Sequence, residues 1–179
     1  MPMEVATKER AYVQVYTGDG KGKTTAALGL ALRAAGAGMK VYFAQFIKHG
    51  RFSEIAALER YADRVTVRQF GRGHLIREDV AEADLAAARE GLAAIQAAVR
   101  SGNYRVIVLD EACAAMQCGL LCVEDVLALI DASDHGVEIV ITGRYAPAEL
   151  IERADLVTEM KEIKHYYRHG VMARNGIEK

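Results

Sequence analysis

Apolar residues come in short dense runs divided by segments in which they recur every third or fourth position, and the two patterns alternate along the chain. Dense runs bounded by turn formers read as strands, and the spaced pattern reads as amphipathic helix. A Val- and Tyr-rich run beginning at Tyr12 passes through glycines into an alanine- and leucine-rich segment reaching Leu32, which predicts strand, tight loop and helix. Residues 39–46 (MKVYFAQF) predict a second strand, 51–61 a short helix, and 65–70 a third strand with polar alternation. The longest helix signal follows: Leu85, Ala88, Leu92, Ile95 and Val99 share one face, Glu78, Asp79, Glu82 and Asp84 crowd the first turns, and Gly102 marks the stop. Residues 104–109 (YRVIVL) are almost wholly apolar, as in a parallel strand buried on both faces. Residues 124–130 predict a helix, 137–141 another buried strand, Pro147 the opening of a helix that ends at Ala154, and 155–160 a last strand. Strands alternating with helices describe an α/β protein: a mainly parallel sheet in three layers, with ligands at the carboxyl ends of its strands.

Length and composition narrow this to one core. A chain of 179 residues holds one well-packed α/β domain, and only Pro2 and Pro147 occur, with no Gly/Ser-rich linker or repeat. The expected organisation is a flexible segment over residues 1–11 and a single domain over 12–179 whose C-terminal tail contributes to the site. A formal net charge of −1 provides no global field for nucleic acid or an anionic membrane. The first ten residues lack the apolar centre of a signal peptide, and no run approaches a membrane span, so a cytoplasmic protein is expected. Cys113, Cys118 and Cys122 are odd in number and fit no common zinc spacing, which favours reduced thiols without a ligand role.

The chemistry concentrates after the first strand, in Thr17-Gly18-Asp19-Gly20-Lys21-Gly22-Lys23-Thr24-Thr25. Glycines let successive N–H groups converge on an anion, and the helix starting near Gly22 adds its unpaired N–H groups and the positive end of its dipole. Lys23 then reaches the distal phosphates of a nucleoside triphosphate and the Thr24 hydroxyl holds Mg²⁺. The strict phosphate-loop pattern wants glycine where Thr17 stands, but the Gly-Lys-Thr core is intact. Asp110-Glu111, directly after a buried strand, are the expected oxygen partners of that ion, with the choice between them open. Thr142-Gly143-Arg144 ends another strand at the same sheet edge, where the guanidinium either meets phosphate or substrate, or is a solvated turn residue. His49, His74, His135 and His169 have no ligand spacing and read as surface histidines.

A triphosphate site alone leaves the reaction open between a kinase, an ATPase and other transfers. More specific is the succession T-G-D-G-K-G-K-T-T-A-A, L-G-L-A-L-R-A-A-G, Q-F-I-K, L-D-E, T-G-R-Y-A-P-A-E-L-I-E-R-A-D-L-V-T-E-M, I-K-H and G-V-M-A-R-N-G-I-E, in order from Thr17 to Glu178. It resembles the ATP:corrinoid adenosyltransferases of the cob(I)alamin type. The resemblance implies a P-loop NTPase-like (RecA-like) fold. It also implies transfer of the 5′-deoxyadenosyl group of ATP to the Co(I) of a corrinoid, with release of triphosphate, in adenosylcobalamin synthesis or salvage. It places ATP on Gly18, Asp19, Gly20, Lys21, Gly22, Lys23, Thr24, Thr25 and Arg33, and Mg²⁺ (or Mn²⁺) on Thr24 and Glu111, with Asp110 beside them. Lys23 and Glu111 carry the catalytic roles, and a homodimer and a flavoprotein-type reductase are the implied partners. The corrinoid side falls to His74, Ile76, Arg144, Lys164 and His165. Where the family reads G-F-x-W, this chain has Gly73-His74-Leu75-Ile76, losing both aromatics that displace the corrinoid's lower ligand. The expectation that follows is a different shield for cobalt or a substrate without a lower base. After Lys48, H-G-R-F-S-E replaces the usual K-G-x-x-G-E, retaining Glu54. Two other readings stay open on the residues: a P-loop phosphotransferase or ATPase, and an ATP-dependent corrinoid-binding module.

Overall fold

The structure is a computed structural model that describes residues 11–73, 80–133 and 136–179. Six strands form one sheet in the order β3-β2-β4-β5-β1-β6: β1 (Val13–Thr17), β2 (Val41–Ile47), β3 (Val65–Gly71), β4 (Val106–Asp110), β5 (Glu138–Thr142) and β6 (Leu156–Glu159). Every pairing is parallel, as the apolar runs predict. Side chains alternate between two cores, since successive residues of a strand point to opposite faces. On one face Val41, Phe43, Val106, Val108 and Val140 meet Ala27, Ala31, Ala34 and Ala35 of α1 (Lys23–Gly36) and Leu58 of α2 (Ser53–Leu58). On the other, Tyr42, Ala44, Phe46, Ile107, Leu109, Ile139 and Ile141 pack beneath α3 (Glu82–Ser101), α4 (Ala112–Gln117), α5 (Val123–Ala132) and α6 (Ala148–Arg153). Each fully buried Val, Leu, Ile or Phe contributes about 1.5–3 kcal/mol, so the central strands β2, β4 and β5 carry most of the fold.

The alanine face of α1 matters for the site. Small side chains at the spacing 27, 31, 34, 35 let the helix lie close on the sheet, which fixes the position of its amino end beside β4. On the opposite face Gly91 does the same for α3: a Cβ there would stand 2.8 Å from both Phe46 and Phe70. The order places β1 and β4 on either side of β5, so the loops leaving β1, β4 and β5 meet at one edge. That is the crevice where open parallel sheets bind ligands.

Two local features depart from the sequence reading. A helix α4 follows Glu111 at once, although ACAAMQ carries no cap and is too short to show a period. Its N-cap position is taken by Glu111, in a left-handed conformation (φ 60°, ψ 17°), and not by Asp110. Glu78 and Asp79 lie outside the described residues; within these, α3 begins at Glu82, with the Asp84 carboxylate accepting from the Ala81 N–H at 3.3 Å.

Candidate active site

The glycine loop after β1 is shaped by the segment ending β6 as much as by its own sequence. Gly18 has φ +96°, and a Cβ there would lie 2.5 Å from the Met160 carbonyl oxygen; at Gly20 it would lie 2.8 Å from the same atom. The close approach is used, because the Gly20 N–H donates to Met160 O at 2.7 Å and the Met160 N–H donates to Thr17 O at 2.8 Å. Gly22, at φ 127°, is the N-cap of α1, and Lys23 opens the helix. Lys23 turns back over the loop, its Nζ donating to Gly18 O at 2.6 Å and Gly20 O at 2.8 Å. Burial and the Arg144 guanidinium hold its ammonium below the usual lysine range, against the pull of Glu111 and Asp19.

Asp110, fully buried, is a hub. Its Oδ1 accepts from Thr24 Oγ1 at 2.9 Å and Thr142 Oγ1 at 2.7 Å, and its Oδ2 accepts from Gln45 Nε2 at 2.9 Å. Saturated in this way, the Asp110 carboxylate orients the Thr24 hydroxyl. Glu111 is the carboxylate that reaches the cavity: its left-handed backbone swings the side chain off the strand, while its N–H is tied to Thr142 Oγ1 at 3.0 Å. So the adjacent acids, indistinguishable by spacing, have separate surroundings.

A lysine that sequence reasoning did not assign completes the cluster. Lys48 Nζ lies 3.4 Å from Thr24 Oγ1, 3.6 Å from Asp110 Oδ2 and 3.5 Å from Glu111 Oε1. Burial works to lower its pKa, but the Asp110 and Glu111 carboxylates outweigh it and the ammonium is held above the usual lysine range. The backbone before it is unusual. Ile47, β-branched, has φ 63°, and the Lys48 N–H donates to Phe46 O at 2.5 Å across a γ-turn of the strained, positive-φ kind. The only advance signal was Gln-Phe-Ile-Lys at the end of a strand.

A cavity of about 670 Å³ opens on these groups. Its walls include Lys21, Lys23, Thr24, Lys48, Glu111 and Arg144, together with Cys118 of the α4 corner and the chain end, residues 176–179. Arg144 follows Gly143 (φ +141°), where a Cβ would stand 2.8 Å from the Ala114 nitrogen, and precedes Tyr145 at φ 58°. Of the other thiols, Cys113 is buried and pushed up to about 12 by burial and by Glu111, and Cys122 is exposed.

The tail is clasped over the loop: Lys21 Nζ donates to Ile177 O and Ser53 Oγ to Lys179 O, both at 2.9 Å. Glu178 fastens it, accepting from the Tyr166 hydroxyl, from the Arg174 N–H at 2.9 Å and from Arg174 Nη2 at 3.2 Å. The Arg174 and Tyr166 hydrogen bonds hold the Glu178 carboxyl well below the usual glutamate range, at about 2. A depressed carboxyl stabilises the docked tail fully above the ordinary glutamate value, and that contribution is lost as pH falls through about 2. The Arg174 amide resonance is therefore expected to titrate with a midpoint near 2; a midpoint near 4.5 would show that the clasp does not form in solution.

The sequence profile of one family, ATP:corrinoid adenosyltransferase BtuR/CobO/CobP, matches residues 9–178. The chain belongs to the ATP:corrinoid adenosyltransferases. It is 36% identical over 174 residues to the corrinoid adenosyltransferase of Pseudomonas aeruginosa, covering 97% of this chain and 86% of that protein. With the corrinoid adenosyltransferase of Escherichia coli K12 it shares 35% over 175 residues, 97% of this chain and 88% of the relative. With corrinoid adenosyltransferase CobA of Salmonella typhimurium it shares 34% over 175 residues, covering 97% and 88%.

Of the positions that the adenosyltransferase resemblance singles out, the structure gathers Gly20, Lys21, Gly22, Lys23, Thr24, Thr25, Glu111, Arg144 and His165 around one cavity, with Asp110 directly behind it. Gly18 holds Lys23 from the loop's other end. Asp19 lines an adjoining charged cleft with Arg144, Glu159 and Arg168, and Lys164 lines a third hollow with Lys21 and His165. Arg33 is not among them. It is exposed in the last turn of α1, about 15 Å along the axis from Lys23 at the helical rise, and its charge acts on Tyr16. His74 and Ile76, assigned to the corrinoid, lie outside the described residues, as does His135. His49 and His169 are exposed.

Proposed function

We propose that this adenosyltransferase moves the 5′-deoxyadenosyl group of ATP onto the Co(I) of a reduced corrinoid and releases triphosphate, within adenosylcobalamin synthesis or salvage. The observation that carries the reading is the pairing of Lys23 and the amino end of α1 with the Thr24–Asp110–Glu111 cluster across one cavity, inside a chain of this family. The cobalt electron pair forms the Co–C5′ bond while the C5′–O bond breaks, its electrons leaving with the triphosphate. Because the nucleophile belongs to the substrate, the protein's work is to align C5′ and stabilise a departing polyanion.

Each residue then has a task. N–H groups of the loop and of the first turn of α1 cradle the phosphates, and Lys23 leaves the Gly18 and Gly20 carbonyls for a phosphate oxygen. Thr24 and Glu111 would hold Mg²⁺ (or Mn²⁺), with Asp110 orienting the threonine hydroxyl. The donors fit such an ion: they are hard oxygens, and among the described residues no cluster of three or more His, Cys, Asp or Glu would hold a metal by itself, so nucleotide oxygens complete the shell. When bound, that ion supplies charge neutralisation on the phosphates. Asp19 belongs to the nucleotide in this reading. Arg144, Lys164 and His165 meet the corrinoid in this reading, the role that the resemblance also gives to His74 and Ile76. A cytoplasmic homodimer supplied with electrons by a flavoprotein-type reductase fits the same assignment; among the described residues no helix is long and apolar enough to cross a membrane.

Incubation with ATP, Mg²⁺ and chemically reduced cobinamide or cobalamin tests the reading. Growth of cobalt–carbon absorbance with equimolar inorganic triphosphate is the expected result. ADP and phosphate without a new cobalt ligand would replace it with an ordinary ATPase.

A further inference from the structure

Lys48 lies outside the phosphate loop, yet three oxygen-bearing groups of the cluster converge on its ammonium: Thr24, Asp110 and Glu111, all within 3.4–3.6 Å. The turn that delivers it is over-determined. A Cβ on Gly71 would stand 2.1 Å from the Ile47 carbonyl carbon and oxygen, so only glycine lets β3 end against the left-handed Ile47. The Gly73 N–H then donates to Ile47 O at 3.3 Å. On the other side, a chain of amides runs from the Gly50 N–H to Gln69 Oε1 at 3.1 Å, from Gln69 Nε2 to Gln45 Oε1 at 2.8 Å, and from Gln45 Nε2 to Asp110 Oδ2 at 2.9 Å. The chain that braces the loop after Lys48 therefore ends on the carboxylate that Lys48 faces. Backbone strain kept in place from two sides marks a functional position.

The oxygens around Lys48 are also those that suit a divalent ion. An ammonium and such an ion repel, and the lysine's flexible stem lets its half-exposed end swing into the cavity, which it lines. There the leaving group departs whole: cleavage at carbon keeps the entire charge of the triphosphate on one fragment, and Lys23 serves only the loop end of the cavity. We propose that Lys48 is a second triphosphate-binding lysine, held ready by Thr24, Asp110 and Glu111 and passed to the departing triphosphate when a divalent cation takes the Thr24 and Glu111 oxygens. This rests on the adenosyl-transfer reading, and it assigns Lys48 a ligand of its own within it.

The test measures binding of inorganic triphosphate with Mg²⁺, and of Mn²⁺ alone, by wild-type protein, Lys48→Met, Lys48→Gln and Lys48→Arg. Loss of one charge-assisted contact weakens triphosphate about tenfold or more in the Met and Gln variants, while Arg stays near wild type. Mn²⁺ alone binds those two variants as tightly as wild type or more tightly, because a competing positive charge is gone. In the unaltered protein, triphosphate with Mg²⁺ protects Lys48 from acetic anhydride, read by mass spectrometry, which settles the point even where a variant folds poorly. Equal triphosphate affinity in all four proteins, joint weakening of triphosphate and Mn²⁺, or no protection of Lys48 overturns the proposal and leaves the nucleotide site standing. Wild-type protein that binds no triphosphate overturns both.

Discussion

Lys23→Met is expected to lower kcat for adenosyl transfer by about 10²–10³-fold, the effect of removing one preorganised donor to developing negative charge. Methionine keeps the stem of the lysine and removes the ammonium. In the wild-type protein that ammonium rests on two loop carbonyls, Gly18 O and Gly20 O, which hold it over the glycine loop, where the proposed reading puts the phosphates. Its charge matters most as the C5′–O bond breaks, so the loss falls on kcat more than on KM for ATP. Cobalt–carbon absorbance at saturating ATP, with triphosphate counted in parallel, gives both constants. A kcat within about threefold of wild type would mean that the leaving group draws its stabilisation from elsewhere.

Gly71→Ala carries the largest expected cost to stability. The added carbon would sit 2.1 Å from the carbonyl of Ile47, and neither strand end can yield without breaking the parallel pairing of Ile47 with Gly71. Overpacking against backbone at such a distance costs about 3 kcal/mol, a fall of roughly 6–12 °C in Tm for a chain of this size. The same displacement moves Lys48, so triphosphate affinity should fall with it. Thermal melts followed by circular dichroism decide the first part; an unchanged Tm would show that the β2–β3 end is looser than described.

How far the sequence foretold this structure depends on what each feature rests upon. The strands were legible because a parallel strand buried on both faces must be apolar throughout, and YRVIVL or VEIVI has few other uses. The loop between β1 and α1 was legible because its glycines and the Gly-Lys-Thr run stand between a strand pattern and a helix pattern. Helix α4 was hidden, since its six residues start from a left-handed glutamate that no propensity favours. The division of labour between Asp110 and Glu111 was hidden for the same reason: one backbone angle sends one acid inward and the other toward the cavity. Lys48 required the turn at Ile47, a residue type that seldom adopts positive φ. The tail showed only polar and glycine-rich composition, whereas its place follows from a long-range bond between Lys21 and a carbonyl 156 positions later.

Strand β1 lies between β5 and β6, so the earliest made of these six strands finds its hydrogen-bonding neighbours only among the last made. At ordinary translation rates that wait is on the order of ten seconds, during which β2, β3 and β4 can already associate around their own partners. Nucleotide bound as proposed is therefore expected to join late, since the glycine loop gains its Met160 hydrogen bonds only after β6 has docked.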